Sequence, residues 1–305
     1  RLGASDNQKK TDNDEVYNFD IRYDGWRSAN GFNWQRLMGS RAVGLLGLTH
    51  SEAKVGSTVR DLVRNGPRPA GVPANDLIAR SPTVFFDDSR EGESTVKYDL
   101  NAYAPMFDKI QAGGSYKIFR IRYDTAAPFG ASNPYSLLAD VNPFALKRSF
   151  LAYQSGAYFQ TTRNLGSRFN LTWGGRVDNY DYLGRTRFSP RAGLSVRLTD
   201  KLSWRSSYGT YYQQPFFLFL AAFPQNRNLT PFRADHVVSG LSYIASPTLR
   251  FTLEGYWKAY KDYPVSAQFP ALSLANVGDT FATRDILFPL TSAGRGRARG
   301  LELFA

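Results

Sequence analysis

Along residues 249–260 apolar and polar side chains alternate without interruption. Leu249, Phe251, Leu253, Gly255, Trp257 and Ala259 form one set, and Arg250, Thr252, Glu254, Tyr256, Lys258 and Tyr260 the other. Successive side chains of a β-strand point to opposite faces, so the segment is a strand with one oily and one wet face. The pattern recurs. Tyr17, Phe19, Ile21 and Tyr23 alternate with Asn18, Asp20, Arg22 and Asp24, and Phe169, Leu171, Trp173 and Val177 with Arg168, Asn170, Thr172, Arg176 and Asp178. Between 112 and 123 the phase is mixed. Phe119, Ile121 and Tyr123 oppose Arg120 and Arg122, whereas Tyr116 and Ile118 share the arginine phase, which predicts a bulge or a sheltered lumen position. About eleven strands are predicted, near 16–24, 42–54, 94–103, 112–123, 149–162, 168–180, 191–199, 202–212, 234–245, 248–260 and 298–305.

The connections are of two kinds. Those at 104–111, 164–167, 199–201 and 246–248 are short, whereas 55–93, 124–148, 181–190, 213–233 and 261–297 are longer. In an up-and-down sheet alternate connections share an end, so the short ones sort to one side and the long ones to the other. A half-oily sheet suits either a soluble core or a barrel with lipid outside and water inside. The sorting favours the barrel, because outer-membrane barrels have short turns at one end and long loops at the other. The fold class is therefore all-β: an antiparallel up-and-down transmembrane β-barrel, here partial, about eleven strands of a larger one.

Composition permits this. No apolar run approaches the roughly 20 residues of a spanning helix, yet a barrel strand is half polar, so the mean hydropathy of −0.39 is no obstacle. The 305 residues include 22 Phe, 18 Tyr and 5 Trp. Tyr180, Tyr182, Tyr208, Tyr211, Tyr212, Trp257, Tyr260 and Tyr263 gather toward strand ends, as a headgroup-level girdle would. The absence of Cys removes disulfides and thiol chemistry. A formal charge of +12 invites nucleic acid, but the basic residues are spread among acids without a recognition motif, so no nucleic-acid partner is expected. An anionic membrane surface suits them better. Residues 1–15 are polar and carry no signal-peptide core, and residues 299–304 read as the opening of a strand. With an odd strand count, these ends predict a fragment: 1–305 as part of a single outer-membrane barrel domain.

A series of short motifs carries a family resemblance: Gly175, Arg176 and Asp178; Ser189-Pro190-Arg191 with Gly193-Leu194; Tyr208-Gly209 followed by Pro215; Asn228-Leu229-Thr230-Pro231 with Gly240; Tyr256, Lys258, Tyr260 and Asp262-Tyr263-Pro264; Asn276 and Gly278; and Gly300-Leu301-Glu302-Leu303. In this order, residues 149–304 resemble the barrel of TonB-dependent outer-membrane receptors, especially the large ones with carboxypeptidase-like N-terminal extensions. Residues 1–148 share only the rhythm of strands and loops. Phe232 stands where the family often has an acid after the proline, with Asp235 three positions on. The resemblance implies a Gram-negative outer membrane and import of a scarce solute such as a siderophore, cobalamin, oligosaccharide or peptide. It implies a plug domain inside the lumen and energy from the TonB complex; the plug and the final strands lie outside this chain. The alternatives are a non-transporting outer-membrane anchor or surface-binding protein, and a soluble secreted carbohydrate-binding β-protein.

Nothing in the chain predicts an enzyme. His50 and His236 lack metal-ligand spacing, and Asp235-His236 beside Ser239 lacks a nucleophile elbow. Asp12-Asn13-Asp14-Glu15 lacks the glycine and distal Glu of a calcium loop and reads as solvated loop. Gly294-Arg295-Gly296-Arg297-Ala298-Arg299-Gly300 resembles a phosphate cradle without its Lys-Ser/Thr, and reads as a flexible basic loop that touches lipopolysaccharide phosphates. No catalytic residue, metal or cofactor is expected. Two groups of site residues are. Arg176, Asp178, Arg250, Glu254 and Lys258 are ionisable side chains of the wet face, which need the water of a wide lumen. Phe216, Phe217, Phe219 and Phe223 lie in a run too apolar for a solvated loop, so it covers the lumen or presents a ligand surface. The partners expected are outer-membrane lipid and lipopolysaccharide, a small solute, the plug and the TonB complex.

Overall fold

A computed structural model describes residues 4–14, 19–62, 71–127, 144–276 and 289–305. They form one antiparallel sheet in which every strand pairs with its neighbours in sequence. The strands are β1 (Ala4–Asp14), β2 (Phe19–Met38), β3 (Ala42–Asp61), β4 (Thr83–Ala104), β5 (Phe107–Ala127), β6 (Phe144–Leu165), β7 (Phe169–Tyr180), β8 (Arg185–Arg197), β9 (Leu202–Gln213), β10 (Phe232–Ser246), β11 (Leu249–Ser266) and β12 (Leu290–Phe304). Two short helices, α1 (Ala74–Arg80) and α2 (Phe217–Ala222), lie in the connections 62–82 and 214–231. Among the described residues no helix is long and apolar enough to cross a membrane, which says nothing of strands.

The count is one above the expected eleven, and the addition is β1. Its residues Ala4 to Asp14 are mostly polar and lack any alternation, yet they pair with Phe19 to Ala29 of β2 in unbroken register. Asp12, Asn13 and Asp14 therefore lie in a strand rather than a loop; Glu15 is outside the described residues. Residues 25–41, without an assigned strand in the sequence reading, complete β2 and its turn. Likewise Gly294 to Gly300 is ladder-paired strand, with Arg297 opposite Ala259 and Arg299 opposite Trp257, so the flexible basic loop is not found. Asp181–Leu183 is a single 3-10 turn closed by Gly184 at φ 60, and the expected longer stretch 181–190 is a tight connection. The positive φ suits glycine, which has no Cβ to clash there.

Short connections at 39–41, 105–106, 166–168, 198–201 and 247–248 all fall at one end of the sheet. The connections 62–82, 214–231 and 267–289 fall at the other. The sheet is uneven at that end. Strands β2 to β6 run for 20 to 22 residues, whereas β7, β8 and β9 run for 12 or 13.

Cross-strand register assigns the faces. Leu48, Val96, Tyr116, Phe159, Trp173, Phe188, Tyr208, Val237, Leu241, Leu253, Trp257, Leu301 and Leu303 share one face and are all exposed. So broad a band of exposed apolar side chains marks a surface made for a non-aqueous neighbour. The register of β5 against β6 is continuous from Lys109 to Ala127, so the predicted bulge is absent. Tyr116 and Ile118 lie on the apolar face, and Phe119, Ile121 and Tyr123 on the polar one. The phase of β5 reads as mixed because both faces carry aromatics near the long-loop end, one set for the surroundings and one for α2.

Candidate functional site

The loop between β9 and β10 folds back onto the polar face. Pro215 is buried, and Phe217 of α2 inserts into a cage of rings at centroid distances of 4.9 Å from Phe119, 6.0 Å from Phe150 and 5.6 Å from Tyr182. Leu220 and Ala221 are buried beneath the helix, Leu220 with Tyr180, Leu183, Leu229 and Leu290, Ala221 with Ile121, Tyr123 and Leu146. One six-residue helix thus joins strands β5, β6, β7 and β12. Arg148 Nη1 donates to the Ala221 carbonyl at 3.1 Å, and the Arg227 guanidinium lies 4.8 Å from the Tyr182 ring centroid.

Asn226 fixes the loop at its centre. Its side chain is fully buried; Nδ2 donates to the Phe219 carbonyl at 2.7 Å, and Oδ1 accepts from the Leu290 backbone N–H at 2.8 Å. Leu229 and Pro231 of the Asn-Leu-Thr-Pro motif are buried, and the Thr230 N–H donates to Ser292 Oγ at 3.0 Å. Replacing Asn226 with leucine leaves a buried carbonyl and a buried N–H unpaired, at a cost of about 2 to 4 kcal/mol. Amide exchange should then accelerate at Leu290 and through 217–229 while the β9–β10 ladder stays protected; unchanged exchange would contradict the role given to this side chain.

Of the four phenylalanines singled out by sequence, Phe217 and Phe219 pack against the buried clusters. Phe223 is half-buried, and Phe216 is 53% exposed. Phe216 and Phe217 border a cavity of about 700 Å³ between the loop and the polar face of β2 to β7. Its wall carries Arg27, Glu91, Glu93, Gln154, Tyr180, Gln213 and Gln214 beside Phe119 and Ile121. The acids are held in place: Tyr123 Oη donates to Glu91 at 2.7 Å, and Lys117 Nζ to Glu93 at 2.7 Å. Rigid carboxylates, amides and rings around one space can orient a solute that is part flat and apolar, part hydrogen-bonding. Arg27, Glu91 and Glu93 of this wall were missed by sequence because they come from segments read as unassigned or as loop, which β2 and β4 in fact occupy.

Arg176, Asp178, Arg250, Glu254 and Lys258 share the polar face by register, but the structure does not gather them into one site. Arg176 grips Asp178 with Nη2 at 2.6 Å and Nε at 2.7 Å, while Tyr158 Oη donates to Asp99 at 2.7 Å nearby. The guanidinium lies across Gly156, where any Cβ would strike it. Lys258 sits 4.9 Å over the Tyr256 ring. Arg250 is apart, beside the turn at 247–248. Among the aromatics expected in a girdle, Tyr208 and Trp257 are on the apolar face. Tyr180 and Tyr182 instead pack under α2, and Tyr211 lies against His236 on the polar face, at 4.9 Å. Strand parity puts the rings of Tyr180 and Tyr211 inside, and Tyr182 follows from the 3-10 turn after β7, a distinction that their place near strand ends does not make. No group of three or more metal-binding side chains occurs among the described residues.

A family model, TonB dependent receptor-like, beta-barrel, matches the chain over residues 1–305. The chain belongs to this family. Solved structures show the same fold at low identity. The pyoverdine outer membrane receptor FpvA of Pseudomonas aeruginosa PAO1, bound to pyoverdine, is 14% identical with a TM-score of 0.59, over 93% of this chain and 42% of that one. The outer membrane transporter YddB of Escherichia coli is 12% identical with a TM-score of 0.63, over 99% and 42%. The siderophore receptor PirA of P. aeruginosa is 13% identical with a TM-score of 0.56, over 99% and 59%. This chain therefore spans about two-fifths to three-fifths of the length of these receptors. No curated protein sequence matches it. Membership places the TonB-dependent receptor barrel in the outer membrane of a Gram-negative bacterium, in a family of receptors and transporters rather than enzymes.

Proposed function

We propose that this barrel captures a scarce solute at its long-loop end, outside the cell, and passes it inward. The observation that carries the reading is the cavity under the loop 214–231, where Phe216 and Phe217 face a wall of fixed polar groups. Specificity commonly resides on loops held by a rigid scaffold, and here the loop is pinned by Asn226 and Phe217. In this reading the polar face lines the lumen, with Arg176, Asp178, Arg250, Glu254 and Lys258 in water, and the apolar band faces lipid. Residues 1–305 are part of one barrel domain, a plug fills the lumen, and the TonB complex supplies the energy. The siderophore and pyoverdine receptors of the same fold make a ferric siderophore the first solute to try, ahead of cobalamin, oligosaccharide or peptide. The soluble carbohydrate-binding alternative does not fit the family; a non-transporting anchor differs by failing to move any solute.

The test uses the full-length receptor in cells and in detergent. Binding of ferric siderophores is followed by quenching of intrinsic fluorescence, and uptake by radiolabelled iron. Phe216→Ala should weaken binding by about tenfold, the order expected for losing one ring contact of 1 to 2 kcal/mol. Collapsing the inner-membrane proton gradient should stop uptake and spare binding. Binding without any gradient-dependent uptake would favour the anchor.

A further inference from the structure

Two opposite charges face the cavity under the loop 214–231 without neutralising each other. One rung of the polar face runs Arg27, Ala53, Glu91 on β2, β3 and β4, and the rung below it, toward the short-turn end, runs Ala29, Ser51, Glu93. All six border the cavity. Glu93 is already matched, since it accepts from Lys117 Nζ at 2.7 Å and from Thr95 Oγ1 at 2.8 Å. Glu91 accepts only the Tyr123 hydroxyl, at 2.7 Å, and no cation among the described residues. A carboxylate offers about four acceptor sites, so most of its capacity is open. The Arg27 side chain is exposed and has no ion pair among the described residues. The backbones of Arg27 and Glu91 are two strand spacings apart, about 10 Å, and both side chains are long enough to converge on groups a few ångström from each other. Ala53 between them leaves the space above it open. An exposed ion pair contributes little to stability, so the two charges lose little by standing apart. On the far side of Glu91 the cavity wall turns aromatic, at Phe119, Phe216 and Phe217. Across the sheet the order is therefore ring, anion, gap, cation.

We propose that the solute of this cavity is dipolar and bears an amino-acid group: its ammonium binds Glu91, its carboxylate binds Arg27, and a flat apolar part lies against Phe216. A guanidinium fork matches the two oxygens of a carboxylate, and an ammonium brings three donors to the open acceptor sites of Glu91. A trianionic chelate would set its charge against Glu91. A neutral sugar would take water from both side chains and return no charge to either. An iron chelate with an amino-acid arm and an iron-free peptide share the required chemistry. This solute class rests on the reading of the cavity as the capture site.

Full-length receptor in detergent is titrated calorimetrically with a ferric trihydroxamate bearing a free α-amino-acid group, its N-acetyl form and its methyl ester. A trianionic ferric tricatecholate and the iron-free tripeptide Phe-Ala-Ala complete the series. N-acetylation and Glu91→Gln should each weaken binding of the parent chelate by about thirtyfold, as for loss of one charge-assisted hydrogen bond. Together they should cost no more than either alone, because both remove the same contact. Esterification and Arg27→Gln should behave as a second such pair. Glutamine at 91 can still accept from Tyr123, and heat-modifiable migration checks that each variant folds. Tighter binding of the chelate than of the tripeptide identifies a metal-loaded solute, and the reverse identifies a peptide; either supports the proposal if the paired losses coincide. Losses that simply multiply, or a tricatecholate or N-acetyl chelate that binds as tightly as the parent, would overturn it. If Phe216→Ala weakens that binding, the cavity stands as the capture site and only the dipolar solute is refuted. Binding that ignores Phe216→Ala, or binding of no probe at all, refutes the capture site as well.

Discussion

Arginine at position 253 is expected to destabilise the barrel by about 2 to 4 kcal/mol, because a charge facing the bilayer midplane of a β-barrel has that cost. Leu253 is 41% exposed within the apolar band, directly between Leu241 and Leu303. Its neighbour Thr252 points to the opposite face, between Ser242 and Phe304. Thr252→Arg should therefore change stability by less than about 1 kcal/mol, since a wet wall accommodates the charge. Reversible urea unfolding of the full-length receptor in phospholipid vesicles measures both. A larger loss for Thr252→Arg than for Leu253→Arg would reverse the faces of the whole sheet, because one register links them all.

Truncation of Phe217 should release the loop 214–231 without unfolding the sheet. The ring touches Phe119, Phe150 and Tyr182, which are on β5, β6 and the 3-10 turn after β7. Phe217→Ala forfeits that contact and leaves a gap, a loss of about 2 kcal/mol for a partly buried ring. The helix α2 has only six residues and cannot hold itself together in water, so its order depends on this docking. Limited proteolysis should cut within 216–223 at least tenfold faster in the variant, with solute binding lost in parallel. Phe216→Ala, which removes an exposed ring, should leave the proteolysis rate unchanged. Equal protection of Phe217→Ala and wild type would mean that the loop is held by other contacts.

Much of this architecture is legible in the residues. Where one face is oily and the other wet, as along 249–260, strand, faces and register follow from a period of two. The reading fails where neither face is oily. Strand β1, and the outer halves of β3 and β4, stand beyond the apolar band with largely polar residues, so Glu91 and Glu93 fall in a stretch with no helical or strand signature. It also fails where a wet face becomes locally oily, as at Phe119, Ile121 and Tyr123. Those side chains match α2, which lies almost 100 residues away along the chain. Periodicity reports the average environment of a strand and is silent about a distant segment that covers part of it. The apolar run 216–223 is legible as an anomaly; that it docks through Phe217 while Phe216 stays 53% exposed depends on a helical turn too short to show a period.

The uneven strand lengths have a consequence for how this surface changes over evolutionary time. At roughly 3.3 Å per residue and a tilt near 45°, a strand of 20 residues climbs about 45 Å, well above a hydrocarbon layer of about 30 Å, whereas one of 12 residues barely crosses it. On the proposed orientation, one flank of the mouth is a tall parapet of paired strands. A loop tolerates inserted and deleted residues, but a ladder does not, because a one-residue slip turns every later side chain to the wrong face. Pressure from antibodies, phages or toxins on that flank should therefore be answered by exchanging side chains such as Arg90 or Glu52 in place. The low flank can answer by changing the length of its connections.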